Sequence, residues 1–218
     1  MIRVLPRAAV LFGAVAAALA LGATASQSQS FWGFGGKNSV DDRAVVGFSS
    51  KYQPGEIVVS FGDRRLYYVT KRGQAISYPI AVPRPKSRWQ GVLRVSLKRE
   101  NPDWTPTPRM RKENPKLPAH VPGGHKLNPL GVRALYLGST LYRIHGTDAP
   151  WTIGKNVSKG CVRMHNDHVV ELYKRVGVGA KVTATWKKFK PPVISASGYG
   201  AGSSKRDTGW KSKALGMN

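Results

Sequence analysis

Residues 158–166 read S-K-G-C-V-R-M-H-N, and Cys161 within them is the only cysteine of the 218-residue chain. A single thiol cannot form an internal disulfide, so it is incidental, intermolecular or reactive. An inert, buried thiol is the common case. Here Gly160 permits a sharp backbone turn beside the thiol, and Arg163 offers a planar guanidinium suited to a carboxylate. These neighbours favour a reactive cysteine.

A histidine that could activate this thiol lies 16 positions earlier, in the R-I-H-G-T segment, where His145 ends a predicted strand. An imidazole can accept the proton of a thiol and leave the nucleophilic thiolate. Backbone N–H groups around Gly160 and Cys161 are expected to face the oxyanion that develops on an attacked carbonyl. The pair therefore predicts cysteine-nucleophile chemistry.

A metal site is an alternative interpretation of the same segment. Cys161, His165 and His168 have ligand-like spacing, and His145 could complete a tetrahedral set. The spacing lacks the paired ligands of a structural zinc site, however, and a metal ion would silence the nucleophile. Capping and solvent exposure at a predicted helix start explain His165 and His168. We therefore predict no metal ligands.

The N-terminus carries the pattern of an export signal. M-I-R-V-L-P-R gives a positive start, an apolar run follows, and A-T-A at 23–25 has the small residues that a signal peptidase reads. The apolar run is shorter than the roughly 20 residues of a membrane span. We expect cleavage before Ser26 and a location in the periplasm or cell envelope. Membrane contact is expected only through an uncleaved signal segment.

The chain is strongly basic, with 35 Lys and Arg against 11 Asp and Glu and a net charge of +24. Such a charge predicts an anionic partner and says nothing about the fold. Export removes nucleic acid as the main partner. The carboxylate-rich bacterial wall and the outer-membrane surface then become the favoured polyanions.

The composition divides the chain into four segments. Residues 1–25 are the predicted signal peptide, 26–54 a Ser/Gly-rich linker with a short strand or helix near Ala44–Phe48, 55–186 a folded domain, and 187–218 a basic tail expected to be disordered.

Within the folded segment, short β-branched and aromatic runs separated by turn residues predict a mainly β domain. The predicted strands are I-V-V-S-F (57–61), R-L-Y-Y-V-T (65–70), A-I-S-Y-P-I-A-V (75–82), A-L-Y-L-G (134–138), L-Y-R-I-H (141–145) and A-K-V-T-A-T-W (180–186). Residues 101–131 are rich in proline and predict a long, ordered, functional loop. Apolar residues at helical spacing predict one short helix, capped by Asn166 or Asp167 and closed by Gly177.

H-G-T at 145–147, followed by S-K-G-C-V-R-M-H-N, resembles the signature of the L,D-transpeptidases, whose catalytic domain is of the YkuD type. The blocks N-P-D-W-T-P, V-P-G-G and N-P-L-G-V-R-A-L precede it in the family's order, so the resemblance covers about residues 55–186. One departure lies at 88–95, R-W-Q-G-V-L-R-V, which keeps Gly91 but lacks the family's Thr-Pro.

This resemblance implies a β-sandwich-like domain with the cysteine at the mouth of a groove. It implies that Cys161 is the nucleophile, that His145 is the base, and that the carbonyl of Gly146 orients the imidazole. Ser158 and Arg163 would shape the site, Arg163 by binding a substrate carboxylate, and Gly160 by framing the oxyanion.

The implied reaction is acyl transfer on peptidoglycan stem peptides, with no cofactor. A Cys161 thioester forms as the terminal D-alanine of a tetrapeptide leaves. The acceptor is then the amine of a second stem or of an outer-membrane protein or lipoprotein, so that the enzyme builds the wall and helps to set cell shape. Carbapenems are expected to acylate the same thiol. Two alternatives remain open: an L,D-carboxypeptidase, in which water resolves the thioester, and a non-catalytic wall-binding protein.

Overall fold

The computed structural model of the chain describes residues 42–195. The predicted signal peptide, the linker up to residue 41 and the tail beyond residue 195 lie outside the described residues. Within the described range, no helix is both long enough and apolar enough to cross a bilayer.

Strands dominate the described part of the chain, as the sequence predicts, and the mainly β class is confirmed. The strands are β1 (Ala44–Gly47), β2 (Ile57–Ser60), β3 (Arg65–Lys71), β4 (Gln74–Pro79), β5 (Val82–Pro83), β6 (Gly91–Glu100), β7 (Arg133–Leu137), β8 (Arg143–His145), β9 (Asn156–Ser158), β10 (Val162–Arg163), β11 (Lys181–Thr185) and β12 (Val193–Ser195). The helices are α1 (Pro108–Glu113) and α2 (Asn166–Arg175), with 3₁₀ turns at Pro85–Ser87 and Pro150–Thr152.

Ten of these strands hydrogen-bond in the order β10-β8-β7-β6-β11-β2-β3-β4-β1-β12, while β5 pairs separately with β9. The long strand β6 joins two halves of this sheet. Its first residues, 91–94, pair with β11, and its remaining residues, 95–100, pair with β7. A strand that passes from one sheet to another is a common way to make the corner of a β-sandwich.

The main core lies between these two halves. Fully buried side chains of β2 and β3, such as Ile57 and Leu66, belong to the same cluster as Leu135 and Ile144 of β7 and β8. Helix α2 covers this cluster with Val169 and Leu172. Apolar side chains from both sheets therefore share one interior, which confirms the sandwich-like architecture.

Strands also occur in the ranges that composition assigns to the linker and the tail. β1 lies inside the predicted linker and pairs with β4. β12 lies inside the predicted tail and pairs with β1. Phe189 packs on Phe48 with ring centroids 5.0 Å apart. β1 confirms the strand alternative near Ala44–Phe48. β12 was not predicted, because its partner is far away in sequence and local composition does not indicate it.

The proline-rich loop is ordered by its own contacts, as predicted, and contains the unpredicted helix α1. The Thr107 hydroxyl caps this helix by accepting a hydrogen bond from the Met110 N–H at 3.3 Å. Asn128, which is buried, donates to the Pro102 carbonyl at 2.8 Å and accepts from the Leu130 N–H at 2.9 Å. The loop therefore forms a defined wall beside the sandwich.

Candidate active site

A groove of about 1330 Å³ opens between the proline-rich loop and the ends of β8, β9 and β10. Cys161, His145, Ser158 and Arg163 all line it. The segment that ends at His145 and the segment 158–163 thus meet the proline-rich loop in one cavity.

Strand pairing holds the residues that follow Cys161 against the strand that ends at His145. β10 runs parallel to β8 with Arg163 opposite His145, and the Met164 N–H donates to the His145 carbonyl at 2.8 Å. On its other edge, Arg163 exchanges two backbone hydrogen bonds with Ala81. Cys161 immediately precedes this doubly held strand, so its position relative to the end of β8 is fixed by backbone hydrogen bonds.

His145 is held as a neutral base. Its Nδ1 lies 2.6 Å from the Gly146 carbonyl oxygen, which can only accept a hydrogen bond. Nδ1 therefore carries the proton and Nε2 keeps its lone pair. Burial, aided by the positive charge of Arg163, lowers the pKa of His145 to about 3.

The Cys161 thiol is also held neutral. Burial raises its pKa, and the neighbouring Arg143 opposes that shift through hydrogen bonding and charge. The thiol donates to the Leu141 carbonyl, with a sulfur-to-oxygen distance of 3.6 Å. The groove therefore holds a neutral thiol and a neutral imidazole.

The turn before Cys161 is built from Ser158 and Gly160. The Ser158 hydroxyl donates to the Cys161 carbonyl at 2.5 Å and accepts from the Gly160 N–H at 3.4 Å. The Trp89 indole N–H donates to the Gly160 carbonyl at 2.8 Å, and its ring stacks on Tyr142 at 4.6 Å. Trp89 and Tyr142 thus support this turn.

Asn166 is a residue whose role the sequence pattern does not reveal. The predicted N-cap position at Asn166 or Asp167 is wrong: His165 is the N-cap, and its side chain makes no capping hydrogen bond. The Asp167 carboxylate accepts from the His168 N–H at 2.9 Å within the first turn. The Asn166 amide instead accepts from the Thr147 N–H at 3.1 Å and donates to the Thr147 carbonyl at 3.1 Å. It thereby joins the start of α2 to the segment that follows His145.

The metal alternative finds no support in the geometry. No group of three or more His, Cys, Asp or Glu side chains within residues 42–195 could hold a metal ion. The expectation that His168 is solvent-exposed is wrong, because its side chain is 13% exposed and its ring lies 5.5 Å from that of Tyr78. Burial accordingly lowers the pKa of His168.

Positive side chains dominate the lining of the groove. The basic residues are Arg84, Arg109, Arg143, Lys159 and Arg163, and among the described lining residues Asp148 is the only acid. The Nε atoms of Arg143 and Arg163 are buried without a hydrogen-bond partner in the described chain. Such guanidinium groups are suited to carboxylates of a bound ligand.

Fold and site together define a mainly β domain with a cysteine–histidine centre in a cationic groove. Residues 54–183 match the family model of the YkuD L,D-transpeptidase catalytic domain. The chain belongs to this family.

Individual relatives differ in how much of them the chain covers. It is 41% identical over 133 residues to the probable L,D-transpeptidase ErfK/SrfK of Escherichia coli K12, which is 58% of this chain and 42% of that protein. A putative L,D-transpeptidase of Fuscovulum blasticum, from its ATP synthase subunits region, is 32% identical over 181 residues, 81% of this chain and 95% of that protein. The chain thus spans less than half of the Escherichia coli relative.

A solved structure from Brucella melitensis, described as a probable carnitine operon oxidoreductase, is 42% identical. It matches 63% of this chain and 89% of its own, with a TM-score of 0.44.

Proposed function

We propose that the chain is an exported L,D-transpeptidase that acts on peptidoglycan tetrapeptide stems. One observation carries the proposal: the Cys161 thiol and a neutral, Nδ1-protonated His145 line the same groove. Family membership supplies the reaction class, and the basic lining of the groove suits stem peptides, which carry several carboxylates.

In the first half-reaction, the Cys161 sulfur attacks the carbonyl carbon of the third stem residue, and the thiol proton moves to His145 Nε2. The Gly146 carbonyl holds the imidazole through Nδ1 and favours the imidazolium that forms. Backbone N–H groups near Gly160 and Cys161 stabilise the oxyanion. The imidazolium then protonates the D-alanine amine as the peptide bond breaks, which leaves a thioester on sulfur.

In the second half-reaction, an acceptor amine attacks the thioester carbonyl and gives a proton to His145, and that proton returns to sulfur as the carbon–sulfur bond breaks. The acceptor is the side-chain amine of another stem, or an amine of an outer-membrane protein or lipoprotein. Bonds and protons balance in both steps, so the reaction needs no cofactor. Arg163 binds a substrate carboxylate, and Ser158 holds the turn in place.

The proposal also includes the location of the protein and its acylation by carbapenems. Residues 1–25 direct export and the protein works in the periplasm, where stem peptides lie. A strained carbonyl such as that of a carbapenem is expected to acylate Cys161 in place of the stem.

The deciding experiment is mass spectrometry of the protein from Ser26 onward, mixed with purified disaccharide-tetrapeptide, beside the Cys161→Ala variant. The proposal expects a cross-linked dimer lacking one D-alanine, absent with the variant. Disaccharide-tripeptide alone would indicate hydrolysis, hence an L,D-carboxypeptidase. No product and no carbapenem adduct would leave a wall-binding protein without catalysis.

A further inference from the structure

Asp148 lies in the groove directly after the H-G-T segment, three residues from His145. The backbone around it is fixed, because the Thr147 hydroxyl accepts from the Ala149 N–H at 3.0 Å and Asn166 holds both backbone groups of Thr147. Burial raises the pKa of Asp148. A carboxylate has therefore been placed, partly shielded from water, in a groove whose other charged lining residues are cations.

Two guanidinium groups share this end of the groove. The charge of Arg163 interacts with that of Asp148, yet the described residues contain no direct ion pair between them. Backbone hydrogen bonds bring the chain around Arg84 against the chain around Arg163: Arg163 pairs with Ala81, and the Arg84 N–H donates to the Ser158 carbonyl at 3.0 Å. The Nε atom of Arg163 is buried with no hydrogen-bond partner in the described part of the chain. Asp148, Arg84 and Arg163 together thus carry a net positive charge, and the Asp148 carboxylate is not in direct contact with the Arg163 guanidinium.

We propose that Asp148, Arg163 and Arg84 form a binding site for an amino-acid head group, an ammonium and a carboxylate carried by one carbon atom. Asp148 receives the ammonium, and the two arginines receive the carboxylate. This extends the proposed function and rests on it, because the side chain of a diaminopimelate stem residue ends in such a group. The head group belongs to the donor stem or to the acceptor amino acid, and both would be held near the thioester.

The assignment of an amino-acid head group as the ligand rests on charge complementarity. Glu113 pairs with Lys159 and Arg109. An isolated ammonium would still be repelled by Arg84, Arg143 and Arg163, and an isolated carboxylate would be repelled by Asp148. A ligand with both charges at one end satisfies both sides. Charge-assisted hydrogen bonds of this kind are about twice as strong as neutral ones.

The donor test compares three tetrapeptides that differ at the third residue: diaminopimelate with both charges, lysine with the ammonium alone, and 2-aminopimelate with the carboxylate alone. Asp148→Asn should lower kcat/KM about tenfold for the two peptides that carry the ammonium, and should spare the 2-aminopimelate peptide. Arg84→Gln should lower it for the two peptides that carry the carboxylate and spare the lysine peptide.

The acceptor test uses preformed acyl-enzyme and measures how it divides between aminolysis and hydrolysis. The acceptors are D-methionine, which carries both charges, and D-methionine amide, which keeps only the ammonium. If the site holds the acceptor, Asp148→Asn reduces aminolysis by both, and Arg84→Gln reduces aminolysis by D-methionine alone. The charge-matched pattern in the donor arm or in the acceptor arm supports the site and identifies its occupant.

Two controls separate a binding role from a structural one. Asp167→Asn removes the same charge from a carboxylate that is 68% exposed and outside the groove lining, and should change none of these ratios. Alkylation of Cys161 by neutral iodoacetamide, together with the unfolding temperature, reports whether Asp148→Asn disturbs the site itself. The absence of a charge-matched pattern in both arms, which includes an equal loss for all three donors and for both acceptors, overturns the inference. If the wild type turns over none of the donors, the proposed function itself fails.

Discussion

At the scale of single residues, Gly160 shows how closely the turn before the nucleophile is packed. Its φ of +132° is strained for any side chain, and a Cβ there would lie 2.6 Å from a Tyr142 ring carbon. We expect Gly160→Ala to lower the rate of carbapenem acylation by more than tenfold, because the turn must shift. Gly177→Ala is the matched control, since a Cβ there meets nothing within 4 Å. Equal acylation rates for both variants would contradict this account of the turn.

Burial of the His145 imidazole leads us to expect that the free energy of unfolding depends on pH. The unfolded chain protonates His145 near its ordinary pKa of 6.5, whereas the folded chain resists protonation down to about 3. Stability from this group is therefore present above pH 6.5 and is lost as the pH falls towards 3. Between pH 7 and pH 4 the loss is about 3 kcal/mol.

Denaturant unfolding of the wild type and His145→Asn at both pH values measures this contribution, because other groups titrate in both proteins. The fall in unfolding free energy should be smaller in the variant by about that amount. Parallel pH profiles for the two proteins would mean that His145 is not held neutral.

At the scale of elements, Asn166 links α2 to the segment that carries His145. Asn166→Ala should destabilise the fold by about 2 kcal/mol, because buried backbone groups of Thr147 lose their partners. Asn166→Asp keeps the acceptor oxygen for the Thr147 N–H but loses the donor to its carbonyl, so it should fall between wild type and alanine. Unfolding curves for the three proteins test this order. An alanine variant as stable as wild type would contradict it.

An ion pair between Lys159 and Glu113 links helix α1 to the turn before Cys161. Hydrogen bonds from Lys159 and Arg109 lower the pKa of Glu113, so the tie persists above the ordinary glutamate pKa and is lost as the pH falls through the lowered value. Glu113→Gln should speed amide hydrogen exchange in residues 108–114, measured by mass spectrometry. Glu100→Gln, which removes an exposed ion pair with Arg133, should leave that segment unchanged. Unchanged exchange in Glu113→Gln would show that the tie does not restrain α1.

Elements also show where sequence reasoning succeeds and where it ends. Local chemistry indicates Cys161 and His145, and both line one groove; β-branched and aromatic runs between turn residues predict most of the strands. Asn166 lies inside the motif, yet its partner Thr147 is 19 positions away, so a local pattern suggests a cap. β12 was missed for the same reason, because its partner β1 lies at the other end of the domain. Folding likewise brings the basic residues of the groove together, and Arg163 is the one among them for which the sequence predicts a role.

At the scale of the whole molecule, positive charge is distributed along the chain and includes the groove. Residues 196–218 contain four basic residues and one acid, so they contribute +3 of the net +24. Attraction to a polyanion depends on the summed charge near the contact and is screened by salt. The groove and its surroundings should therefore dominate attachment to the wall.

Deletion of residues 196–218 tests this distribution. Pelleting with purified sacculi at 0.15 M NaCl should retain more than half of the wild-type binding, because the protein from Ser26 onward, which lacks Arg3 and Arg7, keeps about +19 of its +22 charge. Raising the salt to 1 M, where the screening length is about 3 Å, should release both proteins. Loss of binding on deletion alone would place the wall contact in the tail. Binding that resists 1 M salt in both proteins would mean that specific contacts, rather than net charge, hold the protein to the wall.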